Sequence, residues 1–260
     1  MIAIARVGVP FLGGVLVTAL LAAQAPLAKE EPAYRSLDAN LFMQTSAEYR
    51  AACYQAFALA ELRLGEKLKA KPAGGKPAAV VLDLDETVLD NGAFQAAQIQ
   101  GQFGYDQARW NDYEKNGAAT VRLVPGAKEF LLAAQKLGVA WAFISNRGEA
   151  NRDGTKAVLA LHGLGVPENQ LLLATTTSDK TARRATAAEA FDVLLYCGDN
   201  LRDFDEGFKF DKVKGIDGRK AVADAHRAKF GAEWIVLPNP AYGEWAKALA
   251  GTKKDAELLK

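Results

Sequence analysis

Apolar residues recur at helical spacing between positions 47 and 70, where Tyr49, Cys53, Phe57, Ala60, Leu64 and Leu68 share one stripe. That spacing predicts an amphipathic helix with a single packing face. The run KPAGGKP at 71–77 reads as a hinge. Beyond it short apolar runs alternate with helical patterns. Strands are predicted at 79–84, 139–144, 171–174, 193–197 and 233–237, and helices at 126–137, 150–162, 181–190 and 219–230. Continuous apolar strands separated by helices argue for an α/β fold, a parallel sheet with helices on both faces. Such sheets bind ligands beyond the C-terminal ends of their strands.

One strand breaks the pattern. In VVLDLDETVLDN, residues 80–91, the apolar run carries Asp83 and Asp85, with Glu86 and Asp90 close behind. An uncompensated polar group in such a place costs roughly 2–7 kcal/mol, and an ionised one more. The strand rule supplies a resolution. Asp83 and Asp85 end the first strand, Ser145 and Asn146 end the next in AFISNR, and Asp199, Asn200 and Asp203 follow a third in YCGDNLRDF. Carboxylates from separate strands converging on one rim repel each other unless a hard cation sits among them, and Mg²⁺ with its oxygen ligands is the economical choice. Gly198 and Gly92 are expected to allow sharp backbone turns. Each residue also has a structural alternative. Ser145 could cap a helix, Thr87 a turn, and Asp203 could sit in an exposed first turn. Lys180, Arg183 and Arg184 could form a solvated helix face, while Glu86 and Asp90 read as structural. His162 and His226 lack metal-ligand spacing.

Charge and length narrow the range of functions. The chain has 260 residues, 32 Lys plus Arg against 31 Asp plus Glu, and a net charge of +1, so no basic field gathers nucleic acid. This length holds one main domain, placed at 36–260. Two cysteines, Cys53 and Cys197, make no disulfide framework, and the sequence leaves their pairing open. Residues 1–25 carry one positive charge at Arg6, an apolar stretch over 7–23 and small residues at Ala22, Ala23 and Ala25, the layout of a secretory signal. A periplasmic or secreted protein is expected, and an uncleaved membrane anchor is the alternative.

DLDET after an apolar strand, Ser145 ending a later one, Lys180 opening a helix and GDNLRDF after a third strand occur in order. In this the chain resembles the haloacid dehalogenase-like (HAD) phosphohydrolases over about residues 78 to 245. VLDLDETVLDN, FISNR, GDNLRDF and LPNPAYGEW are similar to the signatures of the secreted class C acid phosphatases, which include bacterial lipoprotein acid phosphatases with 5′-nucleotidase activity. No Cys stands near the end of the signal segment, so lipid attachment is not supported. The resemblance implies a HAD-like sheet with an N-terminal helix and a small cap insertion at about 91–122. It also implies a Mg²⁺-dependent phosphomonoesterase that forms an aspartyl-phosphate. Asp83 would be the nucleophile and Asp85 the acid and base. The metal would be held by Asp83, the Asp85 carbonyl and Asp199, with Asp203 assisting. Thr87, Ser145 and Lys180 would form the phosphate-binding set, Thr87 by holding the loop in shape. The insertion is rich in aromatics, and by the same resemblance Phe94, Trp110 and Tyr242 would bind substrate by stacking on a nucleobase. A small aromatic core within the cap is the alternative.

The expected partner is a small phosphomonoester, a nucleoside monophosphate by resemblance, with no nucleic acid polymer, membrane contact only through an uncleaved signal, and a homodimer left open. A broad acid phosphatase and a non-enzymatic surface or storage protein on the same scaffold are the competing readings. The presence of Asp83 argues against the last.

Overall fold

A computed structural model describes residues 36–213 and 215–249. The signal segment at 1–25 lies outside the described residues. The chain enters through α1 (Leu37–Thr45) and α2 (Ala47–Ala70). Ser46 separates the two helices and accepts a hydrogen bond from the Tyr49 N–H at 3.0 Å, capping α2. The expected stripe is the buried face of α2, from Tyr49 through Cys53, Phe57 and Ala60 to Leu64.

The main sheet contains β1 (Ala78–Leu82), β4 (Ala140–Gly148), β5 (Leu171–Ala174), β6 (Asp192–Gly198) and β7 (Trp234–Val236). Its order is β5-β4-β1-β6-β7, and every pairing is parallel. Every residue of β1 is buried, as an apolar central strand covered on both faces requires. Alternation along β1 divides the core between those faces. Val80 and Leu82 join α2 and α5 (Ala127–Lys136), where Phe57 stacks on Phe130 with ring centroids 5.6 Å apart. Val81 points the other way, to Ala142, Ile144 and Ala187 of α7 (Thr181–Ala190). The connections leave β1 toward β4 on one side and return to β6 on the other. The order in which strands are added therefore reverses at β1, and open α/β sheets hold their ligands beyond the C-terminal ends of the strands at such a switch point.

Between β1 and α5 the chain makes a small ladder, β2 (Leu89–Asp90) antiparallel to β3 (Arg122–Leu123). The segment between those strands forms α3 (Gly92–Gln100) and α4 (Gln107–Asn116). α6 (Arg152–Leu161) crosses from β4 to β5, and α8 (Gly215–Ala225) from β6 to β7; α9 (Glu244–Lys247) follows. Gly154 of α6 lies against α4 so closely that an added Cβ would stand 2.2 Å from the Glu114 carbonyl oxygen.

Several boundaries differ from those predicted. β1 stops at Leu82, so Asp83 to Leu84 belong to the loop and not to the strand. The predicted helix at 219–230 begins earlier and stops at Ala225, because the His226 N–H is shared between the Val222 and Ala223 carbonyls and the chain tightens into a 3₁₀ turn. Cys53 and Cys197 are both free and buried. Among the described residues no helix is long and apolar enough to cross a membrane.

Candidate active site

The site begins where β1 ends. The Asp83 N–H donates to the Cys197 carbonyl at 3.0 Å, extending the β1–β6 ladder by one bond and pinning Asp83 at the sheet edge. The chain then wraps around Leu84, whose carbonyl accepts from the N–H groups of Thr87, Val88 and Leu89. This turn needs a left-handed residue, and Glu86 supplies it with φ of 59°. Such a backbone costs about 1–3 kcal/mol and persists only where its surroundings hold it. The buried Glu86 carboxylate accepts from the Asn91 N–H at 3.1 Å and from the Asn91 amide at 3.4 Å. Burial, with the charges of Asp85 and Asp199 adding, pushes its pKa well above the ordinary range. Glu86 thus braces the loop through Asn91.

Lys180 lies at the start of α7 and is 3 % exposed. Its ammonium donates to Asp83 Oδ1 at 2.6 Å and to Asp203 Oδ1 at 2.7 Å. Burial alone would lower its pKa, but Asp203 and Asp83 outweigh that and raise it. Its backbone N–H donates to Glu206, which also accepts from Arg202 at 2.7 Å, while Arg202 reaches Glu244 of α9. Arg183 and Arg184 are not a solvated face. Arg183 bonds the Ser145 carbonyl and the Asn146 side chain, and Arg184 bonds the carbonyls of Arg202 and Asp203.

Asp203 Oδ2 accepts from the Asn200 N–H at 2.9 Å, closing a capping box. Gly198 makes this approach feasible, since an added Cβ would stand 2.4 Å from that oxygen. The role of Gly198 is therefore close approach and not a turn, because its φ is not positive. Gly92 likewise avoids a contact with Asp90, where a Cβ would lie 2.9 Å from Oδ1. Asp199 is held from two sides, by the Thr87 hydroxyl at 3.3 Å and the Asn239 amide at 2.8 Å. The Thr87 hydroxyl thus donates to Asp199 in this structure and supports the acidic cluster. Ser145 is fully buried, with Oγ 3.4 Å from Asp85 Oδ2.

Oxygens of Asp83, Asp199 and Asp203 all lie within 4.8 Å of one another. Desolvation holds the Asp83 carboxyl well above its ordinary range; Lys180 opposes this while the charges of Asp203, Asp199 and Asp85 add to it. Desolvation and the Asp203 charge push Asp199 up to about 7, against the Asn239 bond and Lys180. Three converging carboxylates with one ammonium are short of positive charge, and their hard oxygen donors suit a divalent cation such as Mg²⁺.

Sequence reasoning assigned no role to Arg147 and Asn239, although both stand in quoted motifs; β4 runs past the expected end at Ser145 and Asn146 to Gly148 and so includes Arg147, while Asn239 follows the end of β7. Arg147 donates to Asp85 Oδ1 at 2.8 Å, and Asn239 supports Asp199. Burial opposes the Arg147 charge, yet the Asp85 carboxylate outweighs it and raises its pKa. Glu114 was also missed. It is buried on α4 and accepts from the Gly148 N–H and the Asn151 amide, tying the insertion to the end of β4.

Of the three aromatic candidates, Phe94 and Trp110 meet, and Tyr242 is not in ring contact with either among the described residues. Phe94 is buried and packs with Trp110 and Tyr113 at centroid distances of 5.0 and 5.1 Å. Trp110 is half-buried beneath the Arg147 guanidinium, 5.7 Å from its ring centre. Tyr242 lies in the loop after β7, where Asn239 Oδ1 accepts from the N–H groups of Ala241 and Tyr242. Among the described residues its ring makes no aromatic contact with Trp110. His162 and His226 take no part. One ring meets the Val121 carbonyl and the other stacks on Trp234.

The family model for the HAD superfamily, subfamily IIIB (acid phosphatase), matches residues 22–245. The class C acid phosphatase of Bacillus anthracis with tungstate bound is 34 % identical, with 86 % of this chain and 92 % of that one covered and a TM-score of 0.74. A second structure of a class C acid phosphatase from Bacillus anthracis gives 34 % identity, 87 % and 94 % coverage and a TM-score of 0.75. These findings set aside the non-enzymatic reading. With Asp83 at the switch point of its parallel sheet, this chain belongs to the HAD subfamily IIIB acid phosphatases and is a phosphoric monoester hydrolase.

Proposed function

We propose that this acid phosphatase is Mg²⁺-dependent, works through an aspartyl-phosphate and prefers nucleoside monophosphates. The observation that carries the reading is the buried Lys180 ammonium bridging Asp83 and Asp203 beside Asp199. Tungstate, which the Bacillus anthracis relative binds, is a tetrahedral oxyanion like phosphate, which supports phosphoryl binding as the shared activity.

Asp83 attacks phosphorus in line, forming the aspartyl-phosphate bond as the bond to the leaving oxygen breaks. Asp85 gives its proton to that oxygen, then takes one from the water that hydrolyses the intermediate and releases phosphate. Lys180 and Ser145 meet phosphoryl oxygens, the ammonium offsetting charge gathered in the transition state. Asp83, the Asp85 carbonyl and Asp199 would hold Mg²⁺, with Asp203 steadying Lys180 and assisting through water; when bound, the ion offsets the repulsion between carboxylate and phosphate.

Trp110 lies against Arg147, which bonds Asp85, and the Tyr242 N–H donates to Asn239, which bonds Asp199; these links to the acidic residues support a role for both rings in holding a nucleobase. The packing of Trp110 against Phe94 and Tyr113 favours a second reading, a broad acid phosphatase with a self-contained cap core. Phosphate release from a panel of esters, with Mg²⁺ and with chelator, tests both. Chelation is expected to abolish activity, and an unchanged rate in thoroughly chelated protein would remove the metal from the scheme. Stacking a base is worth about 1–3 kcal/mol, so Trp110→Ala should lower kcat/KM for a nucleoside monophosphate by about five- to a hundredfold. Glycerol phosphate has no ring to stack and should change little. If the ratio of the two kcat/KM values is unchanged in both Trp110→Ala and Tyr242→Ala, the broad phosphatase is the better description.

We also propose that residues 1–25 direct the chain to the periplasm or the exterior. Fractionation and N-terminal sequencing should find mature protein beginning between Gln24 and Glu31. Full-length protein in the cytosol would rule export out, and full-length protein in the membrane would favour the anchor.

A further inference from the structure

Arg147 stands at the end of β4 with 1 % of its surface exposed, and its contacts converge on one oxygen of Asp85. Its Nε–H donates to Asp85 Oδ1 at 2.8 Å, and the Asn91 amide donates to the same oxygen at 2.9 Å. Arg147 Nη2 closes the triangle by donating to Asn91 Oδ1 at 2.9 Å. The other carboxylate oxygen, Oδ2, is left with the Ser145 hydroxyl at 3.4 Å. Asp85 is thus held asymmetrically, one oxygen gripped by two donors and the other facing only the Ser145 hydroxyl among the described residues.

We propose that Arg147 is the positioning residue for the leaving-group acid, fixing Asp85 through Oδ1 so that Oδ2 is the oxygen that exchanges the proton. The inference rests on the reading of Asp85 as acid and base given above. Two features set this contact apart from ordinary core packing. Arg147 Nη1 is buried with no partner among the described residues, so the guanidinium is oriented by its bonds to Asp85 and Asn91 and not by a complete set of partners. A buried ion pair is also weak evidence of a stabilising role, because removing two charges from water offsets much of their attraction. The planar fork, which addresses Asp85 and Asn91 with separate N–H groups, is what an ammonium at this position could not reproduce. The face of Trp110 near the guanidinium completes the enclosure and links the acid to the insertion.

Leaving groups distinguish this role from a merely structural one. The p-nitrophenolate ion departs from its phosphate ester without a proton, whereas an alkoxide from an alkyl phosphate must be protonated as it leaves. The value of kcat/KM covers the reaction through leaving-group departure, and the ratio for the two substrates is independent of how much of a preparation is folded. In Arg147→Met the alkyl ester should lose about 10- to 100-fold more than p-nitrophenyl phosphate, the scale of a misplaced proton donor. Arg147→Lys keeps the charge but not the fork, should move the ratio the same way by less, and serves as the test where the Met variant does not accumulate. Asp85→Asn sets the limiting ratio. If Asp85→Asn shifts the ratio and the Arg147 variants leave it at the wild-type value, the positioning role is wrong. If Asp85→Asn leaves it unshifted, the acid reading fails and takes this inference with it.

Discussion

Asp83→Asn is expected to lower turnover of every phosphomonoester by about 10⁴-fold or more, the scale of losing a covalent nucleophile, while the fold survives. An amide of the same shape cannot form the aspartyl-phosphate, yet it can still accept from Lys180, which also keeps Asp203 at 2.7 Å. Stability should move in an unusual direction. The buried Asp83 carboxyl has a pKa raised by desolvation, so the folded state holds its proton longer than the unfolded chain does. In metal-free protein its contribution therefore falls as pH rises from the unfolded value of about 3.9 toward the higher folded one. Asn does not titrate and escapes that loss. Chelated Asp83→Asn should melt at or above chelated wild type near neutral pH, and Mg²⁺ should raise its Tm less than that of wild type. Phosphate release and thermal unfolding, each with and without chelator, check the pair. Near wild-type turnover would defeat the proposed mechanism, and a Tm well below wild type in chelator would defeat the electrostatic account.

Lys180→Met should show the opposite division, a large loss of stability along with a loss of activity. The ammonium is buried, 2.6 Å from Asp83 and 2.7 Å from Asp203, and removing one partner of a buried ion pair costs about 3–5 kcal/mol. For a domain of this size that corresponds to a fall in Tm of about 6–20 °C. Turnover should fall by about 10²–10³-fold as a donor to the phosphoryl oxygens is lost. The lysine pKa is raised in the folded state, by Asp203 and Asp83 against burial. Its contribution is therefore complete below the ordinary lysine value of about 10.4 and is lost only as pH rises through the higher folded one. The gap in Tm between variant and wild type should persist up to a pH of about 10 and shrink at acid pH, where protonation of Asp83 removes one of the charges that Lys180 meets. Mg²⁺ should recover part of it by supplying positive charge to the same carboxylates. A chelated variant melting within a degree or two of wild type would show that Lys180 is not the counter-charge of the cluster.

Local features of the fold are legible in the sequence. The α2 stripe and the all-buried β1 run follow from periodicity, because a helix turns every 3.6 residues and a central parallel strand is covered on both faces. Asp83, Asp85, Asp199 and Asp203 were found because polar residues just past apolar strands collect at one sheet edge whatever the remaining details. The strand limits were less accurate. Leu84 is as apolar as Leu82, and only the wrap of three N–H groups onto the Leu84 carbonyl takes it out of the sheet.

The charge pairings were decided by the tertiary structure. Lys180 meets Asp83 across 97 positions, Arg147 meets Asp85 across 62 and Asn239 meets Asp199 across 40. Nothing in a window of sequence distinguishes a lysine bound for a solvated helix face from one bound for two buried carboxylates, since both open a helix among polar residues. The same holds for Gly198, whose missing side chain matters only because Asp203 folds back to within 2.4 Å of where a Cβ would stand. Periodicity fixes which residues face inward, for it depends on the local backbone. Which buried charge meets which is set by the closing of distant strands onto one edge, where desolvation makes an unpaired partner too costly to leave.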